Sequence, residues 1–134
     1  MLIVDDEPSL RRLATTMLEH LGFETVTCAN AHEALRELED NPHGFRLAVV
    51  DYMLPDMKGT LLAKELRILS PRLPLVLCSG QSDHVSDTNS FALGFQHYLK
   101  KPFTLVGMSA AISAALDEAA PPMTHTQTFT AVKG

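Results

Sequence analysis

Leu47-Ala48-Val49-Val50-Asp51-Tyr52-Met53-Leu54-Pro55-Asp56-Met57-Lys58-Gly59 is the stretch whose reading decides the fold. It opens on four apolar residues bounded by polar and turn residues, the pattern of a strand buried on both faces of a parallel sheet. The run ends on a carboxylate. Pro55 forbids further sheet pairing, and Gly59 permits backbone conformations that other residues avoid. Open α/β sheets bind their ligands at the carboxyl ends of their strands, which makes Asp51 the candidate reactive residue. Taken alone, Asp51 reads equally as a loop aspartate capping the next helix.

Working outward, the same alternation repeats. Met1-Leu2-Ile3-Val4 is an apolar strand that runs into Asp5-Asp6-Glu7. Pro8 suits the first turn of a helix, along which Leu10, Leu13, Ala14, Met17, Leu18 and Leu21 form an apolar stripe that Gly22 ends. Phe23 to Cys28 reads as a second strand. Asn30 with Glu33 three residues on predicts a capped helix to about Asp40. The strand ending at Asp51 is followed by a helix from about Lys58 to Leu69, with Leu61, Leu62, Leu66 and Leu69 as its apolar positions. Leu73 to Cys78 is a fourth strand, ending at Ser79-Gly80. Residues 81–90 are polar around Val85 and predict at best a weakly anchored helix. Phe95 to Leu99 is a fifth strand before Lys100-Lys101-Pro102, and Leu105, Met108, Ile112, Ala115 and Leu116 mark a last helix. After Pro121-Pro122 the chain reads as a flexible tail over residues 120–134.

Five strand–helix units imply a doubly wound five-stranded parallel sheet with helices on both faces. The order 2-1-3-4-5 puts the topological switch between strands one and three. The 134 residues suffice for one domain, and 46% apolar content argues against disorder. A net charge of -5 argues against a nucleic-acid face. No run reaches the length of a membrane span. Cys28 and Cys78 lack CxxC spacing and predict reduced core thiols in a cytoplasmic protein.

The carboxyl ends of the predicted strands gather Asp5 and Asp6, Asp51, Ser79 and Lys101 along one edge. Three carboxylates in a partly dry cleft repel one another, and a hard divalent cation relieves that conflict; oxygen ligands suit magnesium. A cation, magnesium and a hydroxyl converging on one carboxylate suit a phosphoryl group, with Asp51 as the nucleophile that carries an acyl phosphate.

These residues resemble the receiver domain of two-component response regulators. The matching elements are Asp5-Asp6, then Asp51 with Leu54-Pro55-Asp56-Met57-Lys58-Gly59, then Ser79-Gly80, then Tyr98 three residues before Lys101-Pro102. The resemblance covers about residues 1 to 118, giving a receiver domain over 1–119. It implies that Asp51 is the phosphoacceptor, in a flavodoxin-like fold. By the same resemblance Asp6 would ligate Mg2+ directly, Asp5 would help through water, and Asp51 and the Met53 carbonyl would complete the protein ligands. Lys101 would pair with phosphoryl oxygens, Ser79 would bond them after phosphorylation, and Tyr98 resembles the aromatic switch. Met53 and Gln81 are the positions that the resemblance places beside the line of water attack, where they would tune dephosphorylation. Pro102 matches a proline that follows a cis peptide. The implied partner is a histidine kinase or histidine phosphotransfer protein, with a downstream target or the chain's own kinase module meeting the 81–119 face. The chain is expected to catalyse only its own phosphorylation and dephosphorylation, as a stand-alone regulator or as the receiver of a hybrid kinase.

Other classes fit less well. An aspartyl phosphohydrolase places a second aspartate two residues after the first, where Met53 stands. A flavin carrier needs phosphate donors where Asp5-Asp6-Glu7 would repel phosphate. A receiver-shaped interaction module without chemistry would not need the complete constellation. His32-Glu33-Ala34-Leu35-Arg36 superficially resembles a kinase histidine box, but it lacks the following proline, and His32 reads as a surface residue.

Overall fold

The computed structural model describes residues 1–80 and 97–119. Its elements are β1 (Leu2–Val4), α1 (Pro8–His20), β2 (Val26–Cys28), α2 (Ala31–Asp40), β3 (Ala48–Asp51), α3 (Gly59–Leu69), β4 (Leu75–Ser79), β5 (His97–Lys100) and α4 (Leu105–Ala119). The five strands form one sheet in the order β2-β1-β3-β4-β5, and every pairing is parallel. The predicted segment 81–90, Gln81, Phe95 and the predicted tail 120–134 lie outside the described residues.

Strand periodicity divides the core in two. Leu2, Val4, Ala48, Val50, Leu75 and Leu77 face α2 and α3, where Leu38, Leu62 and Leu66 are fully buried. Ile3, Val49, Val76 and Cys78 face the other way, against Leu18 of α1 and Met108 and Ile112 of α4. The three inner strands β1, β3 and β4 therefore read as near-continuous apolar runs, because both their faces are covered, whereas the edge strands β2 and β5 carry exposed residues. Burying one such leucine contributes about 1.5–3 kcal/mol.

Helix ends follow local chemistry. Pro8 sits in the first turn of α1, and Gly22 ends the helix region with a positive φ of 93°. The Asn30 side chain accepts from the Glu33 N–H at 2.8 Å, while the Glu33 carboxylate accepts from the Ala29 N–H at 2.8 Å. The capping pair is thus present, shifted by one residue on its return arm.

Two sequence expectations need correction, and Gly59 proves necessary for a reason other than backbone freedom. β2 is shorter than Phe23 to Cys28: only Val26 to Cys28 pair in register with Leu2 to Val4, and before them the contact is the Met1 amino group donating to the Glu24 carbonyl at 2.8 Å. The leucine stripes are not uniformly core: Leu13, Leu61 and Leu105 are 38%, 48% and 40% exposed, and Ala14, Ala31, Ala34 and Ala63 fill the close helix–sheet contacts instead. Gly59 has no unusual backbone conformation. A Cβ there would lie 2.3 Å from the Asp51 carbonyl oxygen, so the glycine allows α3 to start against the end of β3.

Candidate functional site at the carboxyl edge of the sheet

The parallel register carries several chemistry-bearing residues to one edge. Val4 pairs with Cys28 and Val50, so Asp5 leaves β1 beside the end of β3, where Asp51 is the last strand residue. Asp51 lies opposite Cys78 of β4, and Ser79 lies opposite Lys100 of β5, one residue before Lys101. The Lys101 N–H donates to the Ser79 carbonyl at 2.9 Å, and the Lys101–Pro102 bond is cis.

Carboxylate oxygens of Asp5, Asp6 and Asp51 all lie within 4.8 Å of one another. Asp5 and Asp51 are buried, whereas Asp6 faces solvent. The Lys101 Nζ bridges the buried pair, 3.1 Å from Asp5 Oδ2 and 3.2 Å from Asp51 Oδ1. The Glu7 N–H donates to Asp5 Oδ1 at 3.0 Å, and the Arg11 guanidinium donates to the Asp5 carbonyl at 2.8 Å, fixing the β1–α1 turn.

One ammonium among three carboxylates leaves excess negative charge in a partly dry site, and both titrations show it. Burial and the Asp5 charge raise the Asp51 pKa from 3.8 to about 6; Lys101 opposes this and Asp6 adds to it. Burial is the largest single influence on Lys101 and disfavours its charge, but Asp51 and Asp5 together outweigh it and raise the Lys101 pKa. Such a site suits a hard divalent cation. Oxygens around one Mg2+ at about 2.1 Å lie at most about 4.2 Å apart, so the trio would need only a small contraction to share an ion.

The remaining candidates are placed less directly. The buried Ser79 hydroxyl donates to the Tyr98 hydroxyl at 2.6 Å, so its single hydrogen is directed at β5 rather than at a carboxylate. Met53 is 49% exposed and bridges to Lys58 across the β3–α3 loop. Gln81 lies outside the described residues. Cys28 and Cys78 are free, and burial pushes the Cys28 thiol up to about 12 and Cys78 higher still, so both are inert core residues. His32 is exposed, as read, but its ring contacts Asp56. Two supporting residues have no role assigned from sequence: Arg11 carries no signal, and Asp56 enters only as part of the Leu54–Gly59 motif, because the partners of both are set by tertiary contact.

No helix among the described residues is long and apolar enough to cross a membrane. Comparison with known proteins agrees with this architecture. The family model for the response regulator receiver domain matches residues 1–113. A probable transcriptional regulator ycf27 of Cyanophora paradoxa is 34% identical over 117 residues, covering 87% of this chain and 47% of that protein. A transcriptional regulatory protein CpxR homolog of Haemophilus influenzae is 32% identical over 122 residues, covering 91% and 52%. The chain therefore spans about half the length of these curated relatives. A response regulator receiver domain protein from Clostridium thermocellum superposes with a TM-score of 0.80 at 26% identity, over 87% of this chain and 93% of that one. With strand order, acidic edge and family match in agreement, the chain belongs to the response regulator receiver domains of two-component systems.

Proposed function

We infer that the chain accepts a phosphoryl group on Asp51 from the phosphohistidine of a histidine kinase or histidine phosphotransfer protein. The observation that carries this reading is the Lys101 ammonium bridging Asp5 and Asp51 inside a trio of carboxylates. An Asp51 oxygen would attack phosphorus while the phosphorus–nitrogen bond breaks and its electron pair returns to the donor imidazole. Lys101 is placed to transfer its attraction from the carboxylate to the phosphoryl oxygens as charge moves onto them. Asp5, Asp6, Asp51 and the Met53 carbonyl are the candidate holders of Mg2+, which when bound would neutralise charge on the transferring group.

Phosphoryl oxygens offer Ser79 a stronger, charge-assisted acceptor than the Tyr98 hydroxyl it now meets. Drawing Ser79 away would release Tyr98 and alter the β5 surface that a target or kinase module would meet. Residues 1–119 would form the receiver unit, acting on no substrate other than its own phosphoryl group.

The test is acetyl phosphate with Mg2+, followed by intact-mass measurement. One added phosphoryl group on the native protein, and none on Asp51→Asn, is the expected result. Equal labelling of the Asn variant would remove Asp51 from the role.

A further inference from the structure

The β3–α3 loop, residues 52–58, carries Met53, whose carbonyl is a candidate metal ligand. Its base is closed by the Gly59 N–H, which donates to the Tyr52 carbonyl at 2.7 Å, and by the bridge between Met53 and Lys58. At its outer end Asp56 reaches across to a different element. The Asp56 Oδ1 accepts from the Ala31 N–H at 2.9 Å, and Oδ2 accepts from the His32 N–H at 3.0 Å and contacts His32 Nδ1.

Those two N–H groups belong to the first turn of α2, and the helix does not cap them itself. Asn30 caps only the Glu33 N–H. The cap of α2 is therefore divided: Asn30 supplies the local part and Asp56, 25 residues away, supplies the rest. Burial raises the Asp56 carboxyl, but the Ala31 and His32 donors outweigh it and hold it down at about 2, so the clamp is charged at every physiological pH. A charged acceptor on two backbone donors is a strong, directional tie.

We propose that Asp56 is a positioning residue for the acceptor site: by gripping the first turn of α2 it fixes the loop that carries Met53, the candidate carbonyl ligand two residues after Asp51. Asp56 is three residues from Met53 and touches neither phosphate nor metal. It acts through the loop backbone, and the inference rests on the phosphoacceptor reading above. Residues that orient a metal's ligands from outside typically change affinity by about 10–100-fold, and one acting through three residues of backbone belongs at the lower end.

The test is calorimetric Mg2+ titration of the native chain, Asp56→Ala and Asn30→Ala, below the melting temperature of each. Asn30→Ala is the discriminating control, because it removes a cap from the same helix without touching the loop. Asp56→Ala is expected to weaken Mg2+ binding by about tenfold, and Asn30→Ala to leave it within about twofold of native. Should Asp56→Ala not fold, Asp56→Asn keeps an oxygen for one of the two N–H groups and is expected to weaken binding by about threefold. Native-like affinity in the folded Asp56 variant, or equal weakening by Asn30→Ala, would overturn the proposal while leaving Asp51 as acceptor. A native chain that binds no Mg2+ would overturn both the proposal and the reading it rests on.

Discussion

Replacing Asp51 with Asn should make the metal-free protein more stable at neutral pH, although it removes the candidate nucleophile. The Asp51 carboxyl titrates at 3.8 ordinarily and at about 6 in the fold. Between those values the folded state holds the proton more tightly than the unfolded state does. The stabilisation from this group is therefore complete below about pH 4 and is lost as pH rises through about 6. Two pK steps of about 1.4 kcal/mol set an upper bound near 3 kcal/mol for the penalty at neutral pH. The side chain is only 6% exposed, so solvent screening removes little of it. The shift already includes the attraction of Lys101, which keeps Asp5 as a partner at 3.1 Å when Asp51 is neutralised. Allowing for the imperfect amide contact left to Lys101, the net gain is about 1–2 kcal/mol, a melting temperature higher by about 4–8 °C.

The assay is thermal unfolding of both proteins with a chelator present, from about pH 4 to about pH 7.5. The Asn variant should melt higher at neutral pH, and the two should converge toward pH 4. An Asn variant that melts below the native protein at neutral pH would refute the reasoning. An advantage undiminished at pH 4 would refute it too, by showing that charge on Asp51 is not its source.

Magnesium should reverse that order: at about a hundred times its dissociation constant it adds about 2.7 kcal/mol to a fold that binds it, so the native melting temperature should climb and Asp6→Ala should lose most of the rise. An unchanged native melt across millimolar Mg2+ would contradict the metal site. Gly59→Ala should cost about 1–3 kcal/mol and reduce labelling by acetyl phosphate, because the new Cβ meets the Asp51 carbonyl oxygen at 2.3 Å; a native-like melt would show that the backbones part freely. Met53→Asn should speed loss of phosphate by a few-fold, about 1 kcal/mol, by exchanging an apolar shield for a group that can hold water, and decay at the native rate after donor removal would refute this.

The sequence reading reached the sheet because its signals are local. Apolar runs at Leu2 to Val4, Leu47 to Val50 and Leu75 to Cys78 are legible without knowing their partners, and each ends beside a polar residue that parallel register carries to the same edge. What it missed depends on partners far along the chain. The β-propensity of Phe23 to Thr25 does not make them strand, because only Val26 to Cys28 find in-register partners on β1. Consecutive Leu61 and Leu62 are equivalent on paper, but only Leu62 points at the sheet. Gly59 was legible as a residue of unusual backbone freedom, but the need for it, close approach to the Asp51 carbonyl, leaves no trace in its own neighbours. Asp56 is legible only as part of the Leu54–Gly59 motif, with no role of its own, because the N–H groups it caps lie on another element.

Asp51, the proposed acceptor, illustrates why chemistry and stability pull apart at this edge. A carboxylate exposed to water is ionised but weakly basic, whereas one buried alone would be basic but protonated. With its pKa raised to about 6, Asp51 falls between these limits: it is mostly ionised at neutral pH and more basic than a carboxylate in water. Burial and Asp5 supply the upward push, and Lys101 keeps it from going further. The same three influences make the charged site unfavourable in the metal-free fold. Two apolar cores, one on each face of the sheet, offset that cost, which explains why a single domain can hold three acidic side chains so close together without opening.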